Sequence, residues 1–392
     1  MNAHSRHLKY YLWSTHPPAC RENIDSLFEW GNRDRLKRRE WILGLIVLAA
    51  LAGLFLYEQH RHPFDWKMFL EEFRKARWTK VGIGVGCIYL AFAFRAARWA
   101  RLLRPNKHVP LFSLLGTQVM GFTAVALIGR IADLVRPYLI ARKTDLSVSS
   151  QIAVYIVERL FDGGSMAILF CSAIVLAPAG TLPHQDVFNK FGKGGLALTL
   201  AGALFLVAVR LSGRAVAAFS ETVLAPLSRK LAVAVGQKIR AFHSGLDTLR
   251  SPADFVVTLT ISLVMWCLIT FAYVEGVEAF MPAGAETSHL LARCLVLMAG
   301  GGVASIVQLP VIGWFTQIAA LQVMLRPLFG MSPETAMACA ASLLAITFLS
   351  VAPIGLVWAQ FEHINLRNVT IESEHAKEDL ESAENADPAV AP

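Results

Sequence analysis

Residues 129–162 read GRIADLVRPYLIARKTDLSVSSQIAVYIVERLFD and lie in the middle of a chain that is otherwise largely apolar. Six ionisable residues, Arg130, Asp133, Arg136, Glu158, Arg159 and Asp162, stand beside or within apolar runs, and their charges cancel. Unpaired charge in hydrocarbon is costly. Such residues are expected to face a bundle interior, paired with one another and close to a functional pathway.

Composition points the same way. The chain has 392 residues, 55% of them hydrophobic and 17% charged, with a mean hydropathy of +0.48. A soluble protein of this length has no need of so much apolar surface, so an all-α polytopic membrane protein is the natural class. The formal net charge is +8. Its basic residues lie mostly in short loops beside apolar runs, which favours membrane topology and lipid headgroups over nucleic acid. Cys20, Cys87, Cys171, Cys267, Cys294 and Cys339 form no CxxC pair and have no histidine at metal spacing. They read as small buried hydrophobes.

Taken in order, the chain opens with a polar extension, 1–40, in which RDRLKRR at 33–39 precedes a first span at 41–57. The positive-inside rule then puts the N-terminus in the cytoplasm. Residues 64–78 mix aromatics with charges and suggest an amphipathic helix on the outer interface. A second span, 80–99, ends in Arg95, Arg98, Arg101, Arg104 and Lys107, a ladder read as the cytoplasmic end of a helix.

Residues 111–128 are apolar and long enough to cross, but a crossing would strand Arg130, Arg136, Arg142 and Lys143 outside. A re-entrant hairpin resolves this: a helix enters from the cytoplasm, breaks near Ile128 and Gly129, and returns over 130–142. Non-helical backbone at membrane depth survives only buried in protein or lining a water-filled cavity, so the hairpin predicts a cavity. Spans at 151–176 and 194–211 follow, then a basic cytoplasmic segment at 212–253 and a span at 254–280. A second hairpin is expected over 289–330, broken by Gly300-Gly301-Gly302 and Leu309-Pro310, and a last span at 333–360. The count is about six full spans and two hairpins, in an order that fits an inverted repeat by topology alone; such repeats place a binding site at their interface. The tail, 361–392, is acidic and reads as disordered.

On a helix, Arg130, Asp133 and Arg136 are three apart, so Asp133 can hold both arginines. Arginine binds phosphate through a planar fork and stays charged when desolvated. Gly129 allows close backbone approach, and free N–H groups after it favour an anion. Pro137 is a candidate kink. Glu158 and Asp162 share a face of the next span, so a cross-helix pairing with Arg130 or Arg136 would neutralise the group. Two readings stay open: the six residues fasten hairpin to span, or they also read a lipid headgroup.

The pattern GR-x-x-(acid)-x-x-R-x-x-L, carried by Gly129, Arg130, Asp133, Arg136 and Leu139, is followed by ER-x-x-D at Glu158, Arg159 and Asp162. It resembles the membrane domain of lysyl-phosphatidylglycerol synthases and of stand-alone flippase-like proteins, over roughly 41–360. The family more usually has Glu where Asp133 stands. It also tends to carry a Pro-Gly-Gly-x-Gly turn and then Glu in the second hairpin. Here that region offers Gln308, Gly313 and Gln317, with the charge gone. The resemblance implies an integral plasma-membrane protein of the bacterial inner-membrane kind, with both termini cytoplasmic. It would move a phospholipid or polyprenyl-phosphate-type lipid, its headgroup held by buried arginines.

In the synthases an aminoacyl-transferase domain follows, and residues 361–392 are too few to form one, so transferase activity is expected to be absent. The alternative is an integral-membrane enzyme on a lipid-linked substrate. The sequence has no DDxxD, HExxH or nucleotide loop, so no catalytic residue, metal or cofactor is assigned, and Glu158 with Asp162 is its one candidate acid pair.

The topology is testable in a background lacking the native cysteines. Cysteine placed at His184 should react with an impermeant maleimide from outside, and cysteine at Ser244 only from inside. Labelling of both from one side would break the hairpin arrangement.

Overall fold

A computed structural model describes residues 64–104, 107–178, 185–226, 252–282, 289–304 and 312–365, with short pieces at 228–229, 235–236, 368–369 and 371–372. The chain divides into two compact units, 1–65 and 66–392, and the elements belong to the second. The expected first span, 41–57, the basic cluster before it and the last residues of the tail lie outside the described residues.

The described residues are helical, with no strand among them. In chain order they form α1 (Trp66–Lys75), α2 (Trp78–Leu103), α3 (Leu111–Ile128), a 3-10 turn (Arg130–Leu134) and α4 (Val135–Thr144). Then come α5 (Val148–Leu176), α6 (Gln185–Leu224), α7 (Pro252–Glu278), α8 (Leu290–Ala304) and α9 (Ile312–Phe329). The series closes with α10 (Pro333–Leu344), a π-helical turn (Ala345–Leu349) and α11 (Ala352–Phe361). Among the described residues five helices are long and apolar enough to cross a membrane: α2, α3, α5 from Ser150, α7 from Ala253, and α10 through α11. The run at 194–211 lies within α6, which bends at Ser212 and continues to Leu224, past the expected end of that span.

The first hairpin follows local rules. α3 stops at Gly129, whose φ of 95° and ψ of −167° belong to a region that residues with a Cβ avoid. The 3-10 turn comes next. Pro137 falls in the first turn of α4, where its missing N–H has no helical partner to lose, so it starts a helix instead of kinking one. α4 packs back on α3 and on α5. Asp145 ends α4 in the left-handed region, and Ser147 caps α5 by accepting from the Ser150 N–H at 3.3 Å. In the second hairpin α8 packs on α9, and Ser332 caps α10 through the Thr335 N–H at 3.1 Å. The two hairpins meet where Trp314 Nε1 donates to the Ala126 carbonyl, 2.9 Å away.

Lipid tails are as apolar as leucine, so helices in a bilayer associate through close packing and polar contacts. α2 and α7 run antiparallel and use both. A Cβ on Gly84 would come within 3.3 Å of the Ala272 carbonyl, and on the α10 side of α7 one on Gly276 would come within 2.6 Å of Leu343. At one end Lys80 pairs with Glu278 at 2.7 Å and Glu275 at 3.0 Å; at the other Arg101 pairs with Asp254 at 2.8 Å. α1 turns Phe69 and Phe73 onto the core while Lys67, Glu71, Arg74 and Lys75 stay exposed, an amphipathic arrangement in which Trp66, Met68 and Leu70 are also left uncovered. Beyond α11 the chain folds back: Ile364 and Val369 pack with α3 and α4, and Tyr138 donates to Glu372 at 2.9 Å.

α3 and α11 touch through glycine. A Cβ on Gly355 would sit 1.9 Å from Thr123 Oγ1 and 3.0 Å from the Val119 carbonyl. Gly355→Ala should therefore push these helices apart and cost about 1–3 kcal/mol, read as a lower melting temperature in detergent. An unchanged melt would mean that the contact is not this tight.

Candidate functional site

The centre of the charged cluster is a residue from outside the 129–162 stretch. Arg98 of α2 is fully buried and reaches α5 with both ends of its fork. Nη2 lies 2.7 Å from Glu158 Oε1, and Nη1 lies 2.7 Å from Asp162 Oδ1 and 2.8 Å from Ser262 Oγ of α7. One guanidinium thus ties three helices together. The two carboxylates are four apart on α5 and present a single face, a spacing that matches the arginine fork. The ladder after the second span is therefore not uniform: Arg98 is a buried partner, whereas Arg101 and Lys107 form rim pairs with Asp254 and Asp145.

The other cations surround this pair. Arg136, from α4, approaches Glu158 Oε2 at 3.5 Å and Gln118 Oε1 at 3.4 Å. Its side chain crosses α3 at Gly121, where a Cβ would lie 1.9 Å from Arg136 Cγ, so the glycine makes its path. Arg159 pairs with Asp162 Oδ2 at 3.1 Å and Glu158 Oε2 at 3.6 Å. Both guanidiniums lie over the Tyr155 ring, at 5.4 Å for Arg136 and 5.1 Å for Arg159, which adds attraction from the ring face. Trp266 of α7 also reaches Asp162 Oδ1 with its indole N–H, at 3.3 Å.

The residues expected from sequence are placed as follows. Arg136, Glu158, Arg159 and Asp162 come together in the cluster. Asp133 is half-buried in the 3-10 turn, within electrostatic reach of Tyr155 and Arg159. Arg130 opens that turn, and its side chain lies outside the described residues, as does Gln308. Gly313 is buried at the start of α9, one turn before Gln317, which is also buried. Gln317 does not join the cluster; it lines a cavity.

That cavity, about 210 Å³, lies between α2, α3, α7, the two arms of the second hairpin and the π-helical turn. Its walls include Ile88, Phe92, Phe122, Trp266, Met298 and Phe348, and its polar lining is Arg95, Gln317, Tyr273 and Thr347. Arg95 stands between cavity and cluster, its guanidinium over the Phe92 ring at 5.6 Å. The π turn supplies Thr347 and Phe348. Such turns break the regular hydrogen-bond ladder and recur at functional sites.

The family described as Lysylphosphatidylglycerol synthase TM region matches residues 41–355. The chain belongs to this family. The match takes in the cluster and every residue lining the cavity. Neither a curated protein nor a solved structure matches this chain. As a member of a family of membrane domains with several apolar helices, it is an integral membrane protein.

Sequence reasoning passed over Arg95 and Arg98. One signal was available: both fall inside the apolar run, before its end, and at three apart they share a helical face with Phe92. Removing one partner of a buried pair leaves the other charge stranded, at a cost of about 3–5 kcal/mol. An exposed pair is worth about 0–1 kcal/mol. Arg98→Ala should therefore lower the detergent melting temperature far more than Arg101→Ala. Equal losses would count against a structural role for the buried pair.

Proposed function

We propose that this protein moves a phosphate-bearing lipid or lipid-linked precursor across the bilayer, its headgroup held by buried arginines. In this reading the two hairpins are re-entrant and form the facing halves of an inverted repeat. The protein sits in a bacterial inner membrane with both termini in the cytoplasm. The observation that carries it is the imbalance of charge: Arg98, Arg136 and Arg159 share two carboxylates, Glu158 and Asp162, and Arg95 beside them has no carboxylate within ion-pair distance among the described residues. Arginine beyond what buried carboxylates neutralise is costly in hydrocarbon, and an anionic headgroup would offset it. Arg130 and Asp133 in the turn after Gly129, with Gly313 and Gln317 of α9, complete the proposed path, and Gln308 is assigned to it from sequence alone. Membership of a family named for lipid metabolism supports the same reading.

An enzyme acting on a lipid-linked substrate finds less support. Its one candidate acid pair, Glu158 and Asp162, is engaged by Arg98 on both members.

Purified protein in liposomes with fluorescent phosphatidylglycerol in one leaflet should move the label to the other leaflet without chemical change. A new product on thin-layer chromatography would favour the enzyme instead. Arg136→Ala should abolish translocation while the protein stays folded, since Glu158 keeps Arg98. Gly121→Ala should impair it as well, by displacing the Arg136 stem. Wild-type rates in Arg136→Ala would remove that residue from headgroup binding.

A further inference from the structure

Among the four clustered arginines, three have a carboxylate within ion-pair distance: Arg98, Arg136 and Arg159. Arg95 has none among the described residues. Its guanidinium lines the cavity instead. Thr347 spends its hydroxyl on the Leu343 carbonyl at 2.7 Å. The polar groups left facing the cavity are therefore Arg95, the Gln317 amide and the Tyr273 hydroxyl. Among the described residues the lining holds one arginine and no acid, and its remainder is largely aliphatic and aromatic.

We propose that this cavity binds the phosphate of an anionic, amine-free lipid together with the start of its hydrocarbon. Arg95 pairs with the phosphate, whose charge-assisted contact is stronger away from water. Gln317 and Tyr273 donate hydrogen bonds to the remaining head oxygens, and Phe92, Phe122 and Phe348 hold the adjoining methylenes. The volume of about 210 Å³ far exceeds the roughly 10–15 Å³ that one water needs. It falls below the roughly 300–1,000 Å³ of sites that enclose a drug-sized ligand, so the head enters and the tails stay in the bilayer. A head bearing an ammonium group would bring a second cation to a lining with no carboxylate to receive it, and is disfavoured. The inference rests on the transport reading of the same region and narrows its substrate by charge.

The test is binding, separate from transport. Full-length protein in detergent is titrated with radiolabelled dioctanoyl phosphatidic acid, with three competitors: dioctanoyl phosphatidylcholine, lysyl-phosphatidylglycerol and inorganic phosphate. Wild type should bind the probe. Both ammonium-bearing lipids should compete about tenfold more weakly than unlabelled phosphatidic acid, and inorganic phosphate at the same concentrations should not compete. Arg95→Gln should weaken binding on the order of tenfold or more, the scale of one lost charge-assisted hydrogen bond. Gln317→Glu, which keeps the side-chain shape but adds a carboxylate to the lining, should weaken it similarly and decides the matter if Arg95→Gln does not fold. No binding by wild type, unchanged binding in the variants, or equal competition by lysyl-phosphatidylglycerol or by inorganic phosphate overturns the proposal. Binding in this order without translocation in liposomes would sink transport and leave the site. Translocation with binding indifferent to both substitutions would sink the site and leave transport.

Discussion

The ion pair between Arg98 and the Glu158–Asp162 face is the interaction that the rest of the site depends on. In the interior of an apolar bundle none of these three groups is tolerable alone, because the desolvation cost of each is returned only by close contact with the others. The pair therefore determines which faces of α2, α5 and α7 meet. Once those helices are joined, the outer oxygens of the two carboxylates remain available, and Arg136 and Arg159 take them from the other side. The result is one electrostatic unit built from four helices, in which no single arginine owns a carboxylate.

Glycine makes this unit possible in two ways. Gly129 turns the chain back on itself with a backbone conformation that a side chain would oppose, and so brings α4 and Arg136 to the cluster. Gly121 then leaves a groove on α3 through which the Arg136 stem passes. Close approach between α2 and α7 at Gly84, between α7 and α10 at Gly276, and between α3 and α11 at Gly116 and Gly355, follows the same logic of packing without a hydrophobic drive. α9 then touches α3 through Trp314, and α2, α3, α7, α8, α9 and the π-helical turn enclose the cavity that Arg95 and Gln317 line.

Cluster and cavity share walls but differ in character. The cluster pairs three arginines with two carboxylates, whereas the cavity is lined by one arginine, an amide and a phenol among apolar groups. Trp266 divides them, donating to Asp162 on one side and lining the cavity on the other.

Much of this was written in the chain. The break at Gly129, the amphipathic Trp66–Lys75 and the convergence of Arg136 with Glu158 are consequences of local backbone preference, periodicity and the cost of charge among apolar neighbours. These act over a few residues, so they can be read without a fold. The choice of Arg98 as the principal partner of Glu158, sixty positions away, could not be read. Any of several arginines satisfied the charge balance equally well. Only the antiparallel packing of α2 on α7, and of both on α5, selected one of them for burial and left Arg95 facing a cavity. The sequence by itself determined that charges would be buried and had to pair. The tertiary structure decided which ones did, because pairing depends on distance across helices, and spacing along one chain does not encode it.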